Sequence, residues 1–159
     1  MGLVQDYMTF LSNRYPDILA SLWQHLSIVA LAVLLGCVVA MSTAIVLTRM
    51  KAGIINSVVF TIANIFQTVP TIALLAIFIP ILGIGMTPAV IALFLYSLLP
   101  LLRNTYSGIM EVDEGVVESA KGMGYSSMQR LWKIELPLAF PYILSGVRLT
   151  TVYIISGQP

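Results

Sequence analysis

Five of the seven acidic residues and three of the eight basic ones fall within a single stretch, Glu111 to Pro137. Around them the sequence has little that could do chemistry. The one histidine, His25, reads as an interfacial residue at the outer end of an apolar run. The one cysteine, Cys37, reads as a small buried hydrophobe within that run and cannot form an intrachain disulfide. No metal-ligand spacing, phosphate loop or nucleophile–base set occurs, and Gly83 and Gly85 lack the strand–helix setting of a nucleotide loop. The sequence therefore predicts no catalytic residue, no metal and no cofactor bound by this chain. The charged stretch, interleaved with Met, Leu and Trp, suits the docking of a protein partner.

The elements that position this stretch are hydrophobic. Of 159 residues, 58% are hydrophobic and 9% charged, against about 25% charged in soluble domains. No Asp, Glu, Lys or Arg occurs from Leu26 to Thr48 or from Ala52 to Leu102. Runs of about 20 apolar residues span about 30 Å of hydrocarbon as helices. The expected fold is all-α and polytopic in a membrane. The net charge of +1 does not favour nucleic acid as a partner.

Residues 1–20 are mixed and expected to be interfacial, with Phe10, Tyr15 and Trp23 at headgroup level. They lack the basic start of a signal peptide, and "MGLVQD" lacks a myristoylation serine or threonine. Residues 21–159 form the membrane domain. The expected spans are about 22–47, 54–82, 88–110 and 138–156, with a polar loop at 111–137. The first ends at a turn bearing Arg49, Lys51 and Gly53. The second is long enough to need a kink or break, for which Pro70 is the expected place. Arg49 and Lys51 follow span one, while Arg103, Lys121, Arg130 and Lys133 cluster after span three. The positive-inside rule then places both of these segments in the cytoplasm, and the N-terminus and "LGIGMTP" outside. Arg14 dissents weakly.

Within the polar loop, "DEGVVESAKGMG" reads as a helix with acids in its first turn. Ser119, Ala120 and Gly122 keep it slim, and Gly124 supplies the turn. "YSSMQRLWKIELP" reads as a second helix, with Met128, Leu131, Trp132 and Glu135 at helical spacing. Outside the loop, Asn64, Gln67 and Thr68 beside Pro70 make a polar patch in span two, and Arg148 lies within span four. Intramembrane polar groups face a cavity, another helix or, for a long arginine, interfacial water. These five residues are candidates for a pathway or gate, with helix adhesion and snorkelling as the alternatives.

Glu118-Ser119-Ala120, three residues, Gly124, nine residues, then Ile134-x-Leu136-Pro137 resembles the cytoplasmic "EAA" motif of permease subunits in binding-protein-dependent ABC importers. Ser119 replaces the motif's first alanine. The resemblance implies a type I ABC importer transmembrane domain in which these seven residues form the ATPase-coupling loop. "SVVFTIANIFQTVPTIALLAIFIPILGIG", "LYSLLPLLRNTYSGI" and "PYILSGVRLTTVYIIS" are similar to osmoprotectant permeases for glycine betaine, carnitine or choline. The likeness implies ATP on a separate ATPase subunit, a second permease subunit, a substrate-binding protein outside, and a prokaryotic cell membrane. Such permeases continue with one more helix, so about four spans are expected here and the last is missing. A methionine-type amino-acid importer shares the same short core and is the near alternative; a non-transporting scaffold is the remote one. An ion-driven carrier is disfavoured by the scarcity of ionisable residues in the spans.

Overall fold

A computed structural model of the chain describes residues 2–50 and 53–157; Lys51 of the expected charged turn and the terminal Gln158-Pro159 lie outside the described residues. Among the described residues the elements are helical, without strands. Helix α1 (Leu3–Gly36) runs through a wide π-helical turn at Cys37–Met41 into α2 (Ser42–Arg49). Residues 3–20 are thus the first turns of the helix that carries the first apolar run, rather than a separate segment. No glycine interrupts them, and the only proline there, Pro16, is accommodated inside the helix. Phe10 and Tyr15 within them, and Trp23 just beyond, are exposed.

Helices α3 (Gly53–Thr68) and α4 (Thr71–Leu82) meet at an angle of 92°. Pro70 sits at the break with extended backbone, φ −53° and ψ 137°, and its carbonyl accepts from the amides of Ala73 and Leu74 at 2.8 and 3.1 Å. A proline cannot donate to α3, so one helix ends and the next starts with that carbonyl as its first acceptor. Gly83 and Gly85, both at positive φ, turn the chain into α5 (Met86–Met110). Three helices, Ser12–Arg49, Met86–Met110 and Ser127–Ser156, are long and apolar enough to cross a membrane, and the bent α3–α4 pair makes a fourth if it is one span.

Helix α5 is the hub. Its Val90, Ala92, Tyr96, Ser97, Leu99, Leu101, Leu102, Thr105 and Ile109 are buried, and α1, α3, α4 and α8 (Leu136–Ser156) pack around it. Close approach depends on missing side chains. A Cβ on Gly146 of α8 would lie 2.6 Å from Asn104 Cβ, and one on Gly108 of α5 would lie 2.7 Å from Tyr142 Cβ. These two points fix an antiparallel register, with residues 104 and 108 facing 146 and 142. Gly36 plays the same part where α1 meets Ser97 and Leu101. Apolar side chains gain little by leaving lipid for one another, so helix association in a membrane relies on such close backbone contacts.

After α5 come α6 (Glu114–Gly122) and α7 (Ser127–Arg130). A second wide turn at Leu131–Glu135 then leads straight into α8. The second helix of the polar segment is therefore continuous with the fourth apolar run, where the sequence suggested a boundary near residue 138. Pro137 lies in the first turn of α8, and the wide turn that precedes it absorbs the hydrogen bond and space a proline removes.

Candidate functional site: a charged elbow beneath the helix bundle

Each half of the elbow is set by its own local chemistry. Helix α6 starts where the Asp113 side chain accepts from the Val116 amide at 3.1 Å, and Glu114 in its first turn meets the positive end of the helix dipole. It ends at Gly124, φ +82°: the Tyr125 amide donates to the Ala120 carbonyl at 3.1 Å and the Gly124 amide to the Lys121 carbonyl at 2.9 Å. This pair of bonds is a Schellman ending, which requires a left-handed residue at the glycine position. Two residues later Ser126 opens α7 with a capping box. Its hydroxyl accepts from the Gln129 amide at 3.3 Å, and the Gln129 side-chain oxygen accepts from the Ser126 amide at 2.9 Å.

The seven motif residues divide between an inner and an outer surface. Ala120 is fully buried, Ile134 and Leu136 are half-buried, and Glu118, Ser119, Gly124 and Pro137 are exposed. Of the side chains at helical spacing in the second half, Leu131 and Glu135 turn inward while Met128 and Trp132 are exposed. With Val116 and Met123 also exposed, the elbow presents apolar groups outward among its charges.

Glu135 is the residue whose place the sequence did not reveal. It is 4% exposed, and its carboxylate accepts two bonds from the Arg49 guanidinium: Nη2 donates to Oε2, and Nη1 to Oε1 at 3.4 Å. Arg49 is the last residue of α2, 86 positions earlier. A second guanidinium stands by: Arg130 Nε lies 4.0 Å from Glu135 Oε1, while Arg130 Nη1 donates to the Tyr125 carbonyl at 3.2 Å. Beside this cluster a cavity of about 370 Å³ opens between the ends of α2 and α5 and the inner face of α6, lined in part by Arg49, Glu114, Lys121 and Glu135. The signal available in the sequence was an acid inside an otherwise apolar "IELP" and a lone arginine closing the first charge-free run. Neither names its partner.

The polar patch of span two falls on the last turns of α3. Gln67 is half-buried; Asn64 and Thr68 are exposed, with Thr68 Oγ1 donating to the Ile65 carbonyl at 2.8 Å, and Pro70 follows at the break. These four are brought together. Arg148 is on α8, on the side opposite the buried residues Ala139, Gly146, Thr150 and Ile154, and makes no ion pair among the described residues.

The family model described as "Binding-protein-dependent transport system inner membrane component" matches residues 32–158, which include the whole elbow. The chain belongs to this family of permeases. Among its relatives, the glycine betaine/carnitine/choline transport system permease protein OpuCB of Bacillus subtilis is 46% identical over 152 residues, covering 96% of this chain and 69% of the relative. The choline transport system permease protein OpuBB of the same organism is 46% identical over 146 residues, covering 92% and 66%. The carnitine transport permease protein OpuCB of Listeria monocytogenes is 43% identical over 149 residues, covering 94% and 67%. The chain spans about two thirds of the length of these relatives. Its fold is similar to a chain of the inward-facing MetNI methionine ABC transporter, with TM-score 0.75, 26% identity, and coverage of 98% of this chain and 74% of that one. Inner-membrane permease membership and several long apolar helices together make it a multi-pass membrane protein.

Proposed function

We propose that this chain is the membrane-spanning subunit of an ATP-driven importer for a small osmoprotectant such as glycine betaine, carnitine or choline. What carries the reading is one coincidence: the family's permease model and relatives named for these solutes match a chain whose charged elbow is capped at both helix starts and presents apolar groups outward among its charges. In this reading ATP is bound and hydrolysed on a separate cassette subunit, which the elbow meets in the cytoplasm. Glu118, Ser119, Ala120, Gly124, Ile134, Leu136 and Pro137 shape that coupling surface. The N-terminus and the Gly83–Gly85 turn lie outside, so the bent α3–α4 pair crosses as one broken span. A second permease subunit and an external binding protein complete the machine.

The permease changes no covalent bond. Cassette closure on ATP favours one of two arrangements of the elbows and so of the path between the spans, which is alternating access by differential binding. Asn64, Gln67, Thr68 and Pro70 lie where α3 breaks, as polar backbone and side chains do where a membrane helix borders a path. Arg148 is the candidate gate residue on α8. The test is uptake of radiolabelled glycine betaine, carnitine and choline by vesicles holding the assembled transporter, with ATP inside and with methionine as the contrasting solute. Accumulation of one of the three, absent without ATP, is the expected result; uptake of methionine alone would reassign the substrate class.

A further inference from the structure

We infer that the Arg49–Glu135 ion pair is a strut that fixes the position of the elbow relative to the first membrane helix, and that it sets how much transport each ATP yields. The inference rests on the coupling role proposed above. Its ground is the placement of the charges. Glu135 belongs to the wide turn joining α7 to α8, and Arg49 is the final residue of the helix that begins at Leu3, so this contact bolts the second half of the elbow to the first span.

The two halves of the elbow are held differently. The second half has Leu131 and Glu135 buried and runs unbroken into α8. The first half, α6, has its main contact with α7 and is separated from the ends of α2 and α5 by the 370 Å³ cavity. A push on the elbow therefore reaches the bundle through α8, through the short 111–113 link from α5 to α6, through Leu131 packed with Ile109 of α5 and with Ile45 of α2 against the same cluster, and through the strut. Without the strut only apolar packing and the backbone links remain; these have no fixed direction, so the elbow is freer to turn relative to the first span. Bidentate geometry matters here, because two parallel bonds resist rotation where one bond acts as a pivot. Arg130 adds positive charge near Glu135 Oε1, the oxygen that Arg49 Nη1 also reaches, but it lies on the elbow itself and so cannot tie the elbow to the first span. Arg49 and Glu135 are thus positioning residues.

Removing one partner leaves a buried charge uncompensated and risks misfolding, so the informative variant removes both: Arg49→Gln with Glu135→Gln. It is made in the full chain, assembled with its cassette subunit and binding protein in vesicles. Three quantities are read: cassette subunit retained per permease, solute imported per ATP hydrolysed, and the distance distribution between spin labels at exposed Val46 and Met128. The double variant is expected to retain the cassette subunit as wild type does. Its uptake per ATP should fall about tenfold, the size of one charge-assisted hydrogen bond, and the distance distribution should broaden. Arg49→Lys, which keeps the charge and loses the fork, should fall between. Uptake per ATP within twofold of wild type and an unchanged distance in the double variant would overturn the strut; if that variant does not accumulate, the same result in Arg49→Lys would do so. Failure of the wild-type assembly to import would instead overturn the proposed function, and the label distances would still report on the strut.

Discussion

Replacing Gly124 isolates a backbone effect from a contact effect. An added Cβ there meets nothing within 4 Å, so any penalty inside this chain comes from φ +82° alone. An L-residue in that conformation costs about 1–2 kcal/mol, less for Asn, whose side chain can bond locally, and more for a β-branched residue. At about 1.4 kcal/mol per factor of ten, the properly closed turn becomes about five- to thirtyfold less favoured relative to open forms in Gly124→Ala. Gly124→Asn should suffer less and Gly124→Val more. Because the Schellman bonds fold Gly124 and Tyr125, the link into α7, back onto the end of α6, an open turn lets the exposed Glu118–Ser119 face drift away from Met128 and Trp132. Two assays follow the series: affinity of the permease for its cassette subunit, and urea or thermal unfolding of the permease alone in detergent. Both should decline in the order Gly, Asn, Ala, Val. Cassette affinity lost in Ala and Val with the isolated permease unaffected would refute the reasoning, because the cost would then belong to the partner's surface.

Three further outcomes follow from the same structure. Gly146→Leu should separate α5 from α8, since even the first added carbon falls 2.6 Å from Asn104 Cβ, and overpacking costs about 1–3 kcal/mol or more; Gly122→Ala, in open space at the end of α6, should be neutral or stabilising by up to about 1 kcal/mol, and thermal unfolding in detergent compares the two. With Cys37 replaced by Ala, a cysteine at Met123 should react with a membrane-impermeant maleimide only from the cytoplasmic side and one at Ile84 only from outside, both being exposed turn positions; labelling of Met123 from outside would reverse the topology.

Much of the elbow, like the break in span two, was legible because both are built from local rules. The break at Pro70, the glycine ending at Gly124 and the pairing of two short helices are each decided within a few residues, by a missing donor, a permitted dihedral or a cap. The α7–α8 continuity was less legible. Pro137 reads equally as the start of a helix or as its interruption, and the wide turn at 131–135 that settles the matter depends on what Leu131 and Glu135 pack against.

The sequence by itself determined that this chain lives in a membrane, where its apolar runs lie, and that a charged, capped elbow joins two of them, because hydropathy and turn chemistry act over short stretches. Only the tertiary structure decided that α5 is the hub, that Gly108 and Gly146 set its register against α8, and that Glu135 meets Arg49. The contacts join Gly108 to Tyr142, Gly146 to Asn104 and Glu135 to Arg49, partners 34, 42 and 86 positions apart, and nothing local to either partner specifies the other. Such pairs are chosen when helices pack, since a carboxylate or a bare glycine can take many partners until the fold leaves it one.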